Sequence, residues 1–220
     1  MTEQTPARKN TWKQDPEAVK ADILRVATAE FADRGLSGAR IDEIAAKTSV
    51  SKRMIYYYYS DKEGLYRAVL EAIYARLRAN ENALDLDGLD PVAALTEITK
   101  ATYDSHSSLP DFIRLVMIEN IHHARYMKQS DVIPALNSSI IAKLAALCEA
   151  GKAAGSFRAD VDPVELHWMI SAMSFYNVSN RETFSHSFGG KLHSEEGQKR
   201  LRALVVEAVL SMAVKPEARA

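Results

Sequence analysis

The sequence lacks most of the features that catalytic, metal-binding and membrane-spanning proteins require. Its 220 residues contain a single cysteine, Cys148, which excludes an internal disulfide and indicates a reducing, cytoplasmic compartment. No GxxxxGK(S/T), GxGxxG, HExxH or CxxC pattern occurs, so we expect neither a cofactor nor a metal ion. No apolar run approaches the roughly 20 residues that cross a bilayer, and we therefore expect no association with a membrane.

The sequence also carries almost no net charge, with 28 basic and 29 acidic side chains. A nucleic-acid-binding protein is more often basic, but here the charge is unevenly distributed along the chain. Residues 1–60 contain ten Lys and Arg against eight Asp and Glu, whereas the remaining 160 contain 18 against 21. The N-terminal region is the more basic one, so it is the region expected to contact DNA.

Two short helices joined by a tight turn are predicted between Arg40 and Lys62. The first has apolar residues at Ile41, Ile44 and Ala45, which is the i, i+3, i+4 spacing of one helical face. A polar segment follows, and we expect its Ser51 to cap the second helix through the side-chain hydroxyl. The pattern is that of a helix-turn-helix.

The second of these helices has one face suited to a DNA groove. Its inward side is predicted to hold Ile55 and Tyr59, which are four residues apart. Its outward side then presents ammonium, guanidinium and phenol groups, which can reach phosphate oxygens and base edges. A tyrosine-rich surface helix without DNA contacts is the alternative interpretation. The predicted DNA-binding residues are Arg40, Ser51, Lys52, Arg53, Met54, Tyr56, Tyr57 and Lys62.

A long helix is predicted to begin near Lys62, with Asp61 as its cap. A lysine in the first turn opposes the helix dipole, so its presence is explained if a DNA phosphate binds there. A solvated lysine is the alternative. The helix should continue well beyond the DNA-reading region, because apolar residues keep helical spacing at Leu65, Val69, Ile73 and Leu77.

A supporting helix is predicted upstream, from Pro16 to Arg34, with Gly35 as the first residue beyond its end. Residues 1–16 are polar and are predicted to form a flexible arm. The arm either follows the DNA minor groove or is merely solvated. The cations available to it are Arg8, Lys9 and Lys13.

Two motifs cover most of residues 20–70: ILxxAxxxFxxxG, from Ile23 to Gly35, and IDEIAAKTSVSKRMIYYYYSDKEGLY, from Ile41 to Tyr66. In these motifs the chain resembles the TetR family of bacterial transcriptional regulators. The resemblance implies an all-α homodimer with two domains. Residues 17–77 would form a three-helix helix-turn-helix DNA-binding domain, and residues 78–220 a helical domain that dimerises and binds a small effector.

Three positions depart from the family pattern. Ser49 stands where glycine is common, so a left-handed backbone there would cost more free energy. Arg40 replaces the threonine that usually caps the second helix, which removes a cap and offers a phosphate contact. Tyr59 replaces phenylalanine, and its hydroxyl needs a hydrogen-bond partner if the ring is buried.

The chain keeps helical spacing beyond the motif, with a helix predicted to begin at Pro91 and another over residues 109–126. The second has hardly any polar face, so we expect it to be buried nearly all round. It nevertheless contains polar groups, which need partners when buried. Either Glu119 pairs with His122 or His123 along the helix, or these groups are the polar contacts of an otherwise apolar effector pocket.

A later helix, rich in Met and aromatic residues, would complete such a pocket, although a stripe of this kind is also typical of a core. Residues 148–188 resemble the C-terminal half of regulators that control the breakdown of small aromatic acids. This resemblance implies an effector that is aromatic or acidic. The predicted effector-binding residues are Arg114, Met117, Glu119, Asn120, His123, Tyr126, Met169, Met173, Tyr176 and Asn177.

Two apolar stripes are predicted to form the homodimer surface. One lies on a helix from about Leu136 to Ala154, where Cys148 is expected to be a buried thiol. The other lies near the C-terminus, after a predicted loop from Ser185 to Gly197. The family resemblance implies a four-helix bundle across a two-fold axis, which would hold two recognition helices about 34–36 Å apart on a palindrome. The predicted interface residues are Ile140, Leu144, Leu147, Leu204, Val205 and Ala208.

These features together predict a cytoplasmic, homodimeric repressor that a small-molecule effector releases from a palindromic, double-stranded operator. A ligand-dependent activator fits the same features. An enzyme that uses Glu119, His122 and His123 is the rival from another class, but the sequence supplies no nucleophile, metal-ligand set or phosphate loop to accompany them. A helical module that binds another protein is a further alternative, against which the tyrosine and cation face argues.

Overall fold

The computed structural model describes residues 15–219 and confirms the predicted all-α fold. Within these residues no strand occurs, and one isolated β-bridge joins Phe157 to Val214. The predicted polar arm, with Arg8, Lys9 and Lys13, lies outside the described residues except for its last two positions. The helices are α1 (Pro16–Gly38), α2 (Ile41–Lys47), α3 (Lys52–Tyr59), α4 (Lys62–Asn82), α5 (Pro91–Ser108), α6 (Pro110–Ile121), α7 (Val132–Ala153), α8 (Pro163–Ser179), α9 (Arg181–Phe188) and α10 (Glu195–Ala213).

The chain divides into two compact units, and the division falls in the sequence of α4, between Leu70 and Glu71. The first unit contains α1, α2, α3 and the beginning of α4. The second contains the rest of α4 and all later helices. The domain limits expected from the sequence, 17–77 and 78–220, stay predictions.

The first unit begins with α1, which starts as the sequence predicts. The Asp15 side chain accepts hydrogen bonds from the backbone N–H groups of Glu17 and Ala18, at 3.1 and 3.0 Å, and so caps the helix. The regular helix is interrupted at Gly35, whose φ of 65° lies in the region that glycine tolerates best. One further turn extends the element to Gly38, four residues beyond the predicted end at Arg34.

The core of the first unit is made by apolar residues from all four of its helices. Phe31 of α1 and Tyr66 of α4 are fully buried, with ring centroids 5.1 Å apart and planes at 83°. Ile44 of α2 and Ile55 of α3 are equally buried. The burial of Ile44 and Ile55 agrees with the inward positions that the sequence predicts on the two helices of the motif.

The second unit packs its helices around a single apolar cluster. α5 begins at Pro91, as predicted, after Asp90 accepts hydrogen bonds from Val92 and Ala93. Cys148 is buried in the cluster, and burial raises the pKa of its thiol. The cluster consists of Leu95, Ile98, Ile140, Leu144, Cys148, Phe157, Leu166, Ile170, Val209, Ala213 and Val214.

The α7 stripe assigned to the dimer surface faces this core instead. Ile140 and Leu144 are buried in the cluster, and Leu147 packs against it. Gly151, on the same side of the helix, lies under Phe157 so closely that an added methyl would overlap the ring. The assignment of this stripe to a partner subunit was wrong, because helical spacing shows that residues share a face but not what covers it.

The remaining surface of α7 is unusually open for an apolar helix. An 18-residue stretch of this helix has a mean hydropathy of 1.4, and 22% of that stretch is buried, so by length and composition alone α7 could cross a membrane. The sequence analysis predicted no segment long and apolar enough to cross a membrane, and α7 corrects that prediction. Lys143, Glu149 and Lys152 interrupt the apolar sequence of this helix, and its buried stripe belongs to the core. We therefore interpret α7 as a core helix with one open face.

The α6 helix is also less buried than its sequence predicts. It ends at Ile121, and Ile121 itself is 70% exposed. Phe112, Leu115 and Glu119 lie on the buried side, whereas Arg114 is exposed. Apolar residues therefore occur on both sides of α6, and the expectation that it is buried nearly all round was wrong.

The buried carboxylate of α6 has a structural role. Glu119 Oε2 accepts hydrogen bonds from the backbone N–H groups of Tyr126 and Met127, at 3.1 and 3.0 Å. His122 and His123 are exposed, and within residues 15–219 neither hydrogen-bonds to Glu119. The carboxylate fixes the turn that follows α6, so the three side chains do not form the cluster that an enzyme would need.

The second unit also buries a histidine, His106 of α5, which should make stability depend on pH. Burial lowers the pKa of His106 from 6.5 to about 4. Because the folded value lies below the unfolded one, the unfolded chain binds the proton more tightly. The contribution of neutral His106 to the free energy of unfolding is complete above about pH 6.5 and is lost as the pH falls toward 4.

We predict that the free energy of unfolding falls by roughly 2–3 kcal/mol between pH 7 and pH 4 through this group. Urea unfolding of wild type and His106→Gln at several pH values measures it. The variant should lose this part of the pH dependence, whereas His186→Gln, at an exposed position, should keep it. Equal pH slopes for His106→Gln and wild type would contradict the account.

Candidate nucleic-acid interface and effector residues

The turn between α2 and α3 forms without the strain that its sequence suggested. Positive φ values among described non-glycine residues occur at Ser60, His123 and Ala124, so Ser49 does not adopt a left-handed backbone. Its serine therefore carries no conformational penalty relative to glycine. The N-cap of α3 is Ser51, but its hydroxyl makes no capping hydrogen bond, and its carbonyl accepts from the Met54 N–H at 2.9 Å.

The exposed side of α3 presents the groups expected for DNA contact. Tyr57 is 77% exposed and Tyr56 is 38% exposed. Arg53 is exposed, and within residues 15–219 its side chain has no hydrogen-bond or ion-pair partner. Met54 is half-buried at the edge of this face. A guanidinium and a phenol one turn apart can therefore reach an external ligand together.

Lys52 differs from Arg53 because it already has a partner. Its Nζ lies 2.9 Å from a carboxylate oxygen of Asp42 on α2. The hydrogen bond that Lys52 donates to Asp42 raises the pKa of Lys52, so the lysine is charged at neutral pH. Both side chains are solvent-exposed, and exposed pairs of this kind contribute little stability, so a DNA phosphate could replace Asp42 at small cost.

The two outer cations predicted to contact DNA flank the motif. Arg40 occupies the N-cap position of α2, is exposed, and makes no side-chain capping bond. Lys62, in the first turn of α4, donates to the carbonyl of Ser37 at 3.4 Å. Asp61 caps α4 as predicted, since its carboxylate accepts from the Gly64 N–H at 2.6 Å.

The hydroxyl of Tyr59 has the hydrogen-bond partner that a buried tyrosine needs. The ring is half-buried, and the hydroxyl donates to the Lys20 carbonyl of α1 at 3.4 Å. Burial raises the pKa of Tyr59 to about 12, so the phenol stays neutral. The tyrosine therefore replaces phenylalanine without leaving an unpaired polar group.

Two features that hold the motif together are not evident from the sequence pattern. Glu30 of α1 is buried and bridges to Lys47 of α2 at 2.9 Å and to Arg34 at 3.5 Å. The hydrogen bond from Lys47 lowers the pKa of Glu30. At the other end, Gly64 lies so close to the carbonyl of Tyr59 that an added methyl would overlap it. The sequence signals available for them were an acidic residue at the helical spacing of the apolar side of α1 and a glycine five residues after Tyr59, the last of the four tyrosines.

The predicted effector residues fall into two separate groups. Those from α8 line a groove between α8 and α10 of about 470 Å³, whereas those from α6 and the turn after it are not among its lining residues. The predicted interface residues Leu204 and Val205 line the same groove. The α8 group is Met169, Met173, Tyr176 and Asn177, and the other group is Arg114, Met117, Glu119, Asn120, His123 and Tyr126.

Asn177 is committed to a hydrogen-bond network inside the second unit. Its side-chain amide donates to the Tyr103 hydroxyl at 3.1 Å and to Gln198 Oε1 at 2.9 Å, and its carbonyl accepts from Gln198 Nε2 at 3.0 Å. These bonds join α8 to α5 and α10. The residue is therefore a structural link at the edge of the groove.

Two short helices, a turn without strain and an outward row of cations and phenols define a helix-turn-helix DNA-binding protein. Residues 23–69 match the family model described as bacterial regulatory proteins, tetR family, and residues 91–209 match the model described as tetracyclin repressor-like, C-terminal domain. The chain belongs to the TetR family of bacterial transcriptional regulators. The family resemblance inferred from the sequence is confirmed.

Individual relatives agree with this classification. The chain is 34% identical to the HTH-type transcriptional repressor NicS of Pseudomonas putida over 78% of this chain and 81% of that protein. It is 31% identical to the HTH-type transcriptional regulator RutR of Escherichia coli K12 over 70% and 71% of the two chains. The solved structure of SCO4942 from Streptomyces coelicolor superposes with a TM-score of 0.68 at 26% identity, covering 89% of this chain and 98% of that one. The protein is a DNA-binding transcriptional repressor.

We predict that Arg53→Ala and Tyr57→Ala each weaken operator binding by about tenfold or more. Both side chains are exposed on α3 and contribute little to the core, so circular dichroism and thermal unfolding should stay unchanged. Binding is measured by fluorescence anisotropy on an operator obtained by selection from genomic fragments.

Lys199→Ala removes an exposed cation from α10 and serves as the matched control. It should leave operator affinity unchanged at constant salt. Wild-type affinity in both α3 variants would overturn the assignment of the recognition face.

Proposed function

We propose that the protein works as a cytoplasmic homodimer, in which each subunit reads one half of a palindromic operator until a small effector releases it. The observation that carries this proposal is a large exposed apolar face on α8 and α10. A monomer rarely leaves such a face in water, whereas a two-fold dimer covers it with its own copy.

The face follows one stripe of α8. Val164, Trp168 and Tyr176 lie at multiples of four residues and are 57%, 66% and 55% exposed. Leu204 of α10, 44% exposed, continues the patch across the groove. Aromatic residues of this size contribute most of the free energy in interfaces, which makes Trp168 the principal anchor.

This assignment keeps part of the interface inferred from the sequence and replaces the rest. Leu204 and Ala208 of α10 stay in it, and Val205 forms the floor of the groove. α8 takes the place of α7. The four-helix bundle implied by the family resemblance would then be two copies of α8 and α10.

A dimer would also bind DNA more tightly than one subunit with a single α3 helix. α3 has eight residues, so one subunit touches few bases. Two copies related by a two-fold axis would contact half-sites one helical turn apart, and their contributions to binding free energy would combine. A palindromic operator is the expected consequence.

The effector is proposed to act through α4. This helix is continuous from Lys62 to Asn82 and has buried residues along its whole length, including Leu65 and Leu77. A ligand that shifts the C-terminal part of such a helix would move the N-terminal part that follows α3. Coupling of this kind typically amounts to about 1–3 kcal/mol, which is enough to empty an operator.

We predict that Trp168→Glu converts the protein to a monomer of 24.4 kDa, whereas the wild type sediments at twice this mass. A charge at the centre of an apolar interface is destabilising because it would be buried without a partner. Analytical ultracentrifugation measures the mass, and anisotropy on the selected operator should show binding weakened by at least about a hundredfold.

Ile121→Glu is the matched control, because Ile121 is equally exposed but lies on α6. It should leave both the dimer and operator affinity intact. A Trp168→Glu protein that remains dimeric would show that another surface joins the subunits.

A further inference from the structure

The second unit buries an arginine whose hydrogen-bonding capacity is not fully used. Arg78 of α4 is 6% exposed and pairs with Glu81, one turn further along the same helix and equally buried. Within the described residues, Arg78 Nε has no hydrogen-bond partner. An unpaired buried donor is destabilising, and a charged one more so, so such a group is uncommon unless a ligand completes it.

Two histidines lie close enough to Arg78 to sense its charge. His106 of α5 is 4% exposed, and its Nδ1 has no partner within residues 15–219. Burial is the main cause that lowers the pKa of His106 and of His167, on α8, and together with the charge of Arg78 it brings both to about 4. Both imidazoles are therefore neutral at pH 7 and can donate or accept a hydrogen bond.

Charges of both signs lie around this cluster. Lys143 of α7 donates to the Glu81 carbonyl at 3.1 Å. Two cations, Arg78 and Lys143, therefore lie near the Glu81 carboxylate. A second buried carboxylate, Glu119, acts with Arg78 on the pKa of Tyr74. Burial raises the pKa of Glu81 in spite of both cations. An anionic ligand would give Arg78 Nε the acceptor that neither carboxylate provides.

Aromatic rings stand beside the same polar groups. The His106 ring lies 5.8 Å from that of Phe112, with planes inclined by 32°, and 6.5 Å from that of Phe175, with planes at 86°. Tyr74 contacts Phe112 edge-on at 5.1 Å. Aromatic rings pack edge-on or offset at distances of this size, so a further planar ring could pack beside them in the same way.

We propose that Arg78, His106 and His167 form the binding site of the effector, which is a small aromatic acid. Its carboxylate would accept hydrogen bonds from Arg78 Nε and an imidazole N–H, and its ring would lie against Phe112 and Phe175. The inference rests on the proposed effector-controlled function and specifies the chemical class of the effector.

The α8–α10 groove is a poorer site for such a ligand. Its lining is almost wholly apolar, and its amide residue, Asn177, already binds Tyr103 and Gln198. An acid bound there would lose its hydration without gaining a cation. The buried cluster offers both a cation and unpaired donors, which is why the effector residues Met169, Met173, Tyr176 and Asn177 are reassigned to the dimer face and its edge.

The inference is tested with the full chain and two matched pairs of probes: 4-fluorobenzoate with 4-fluorobenzamide, and 4-fluorophenylacetate with its amide. Fluorine NMR line widths report binding of each probe. The fluorine signal of at least one acid should broaden in a saturable way when wild-type protein is added. The corresponding amide should bind about tenfold more weakly or not at all.

Variants then locate the site. Arg78→Met should weaken acid binding by about tenfold or more, and His106→Phe should weaken it as well. Because Arg78→Met leaves Glu81 buried without its partner, the double variant Arg78→Met/Glu81→Leu, which removes both charges, supports the same measurement in a folded protein. Arg76→Met removes an exposed arginine of the same helix and should bind the acid as wild type does.

Equal binding of acid and amide, wild-type acid affinity in the folded double variant, or no saturable binding of either acid would overturn the inference. None of these outcomes affects the ultracentrifugation or operator measurements, which contain no ligand. If an acid binds at Arg78 but leaves the protein on its operator, the proposed release fails while the site stands.

Discussion

The burial of Ile55 determines which side of α3 faces the solvent, and the DNA-reading function depends on that choice. An isolated helix of eight residues is not stable in water, so α3 exists because Ile55 is packed among the other helices of its unit. Complete burial of one isoleucine contributes about 1.5–3 kcal/mol. Arg53 and Tyr57 are exposed because they lie on the opposite side of a helix fixed in this way.

The second unit uses the two sides of α8 for different purposes in our account. His167 and Trp168 are neighbours in sequence, yet His167 lies near the charge of Arg78 whereas Trp168 is 66% exposed. One side would contact the effector and the other the partner subunit. A ligand that shifts α8 would then change the dimer as well as α4, so both routes lead to the spacing of the two α3 helices.

The fold and the exposed side of α3 could be predicted because they depend on local patterns: helical spacing, capping residues and an outward row of cations. The long-range contacts could not. Helical spacing grouped Ile140 with Leu144 correctly, but it did not show that the same chain covers them. One of the two interpretations of Glu119 paired it along its own helix, whereas its partners are backbone groups seven and eight residues later. The Arg78 cluster joins residues from separate helices, and no spacing rule connects them.

The central claim, that a two-fold dimer reads DNA with α3, is tested most directly by selecting genomic fragments with the purified protein at two salt concentrations and sequencing them. The account predicts a palindrome whose half-site centres are about 10 base pairs apart, with affinity that falls steeply as salt rises. Enrichment of single half-sites by a folded dimer, or of no sequence at all, would contradict it.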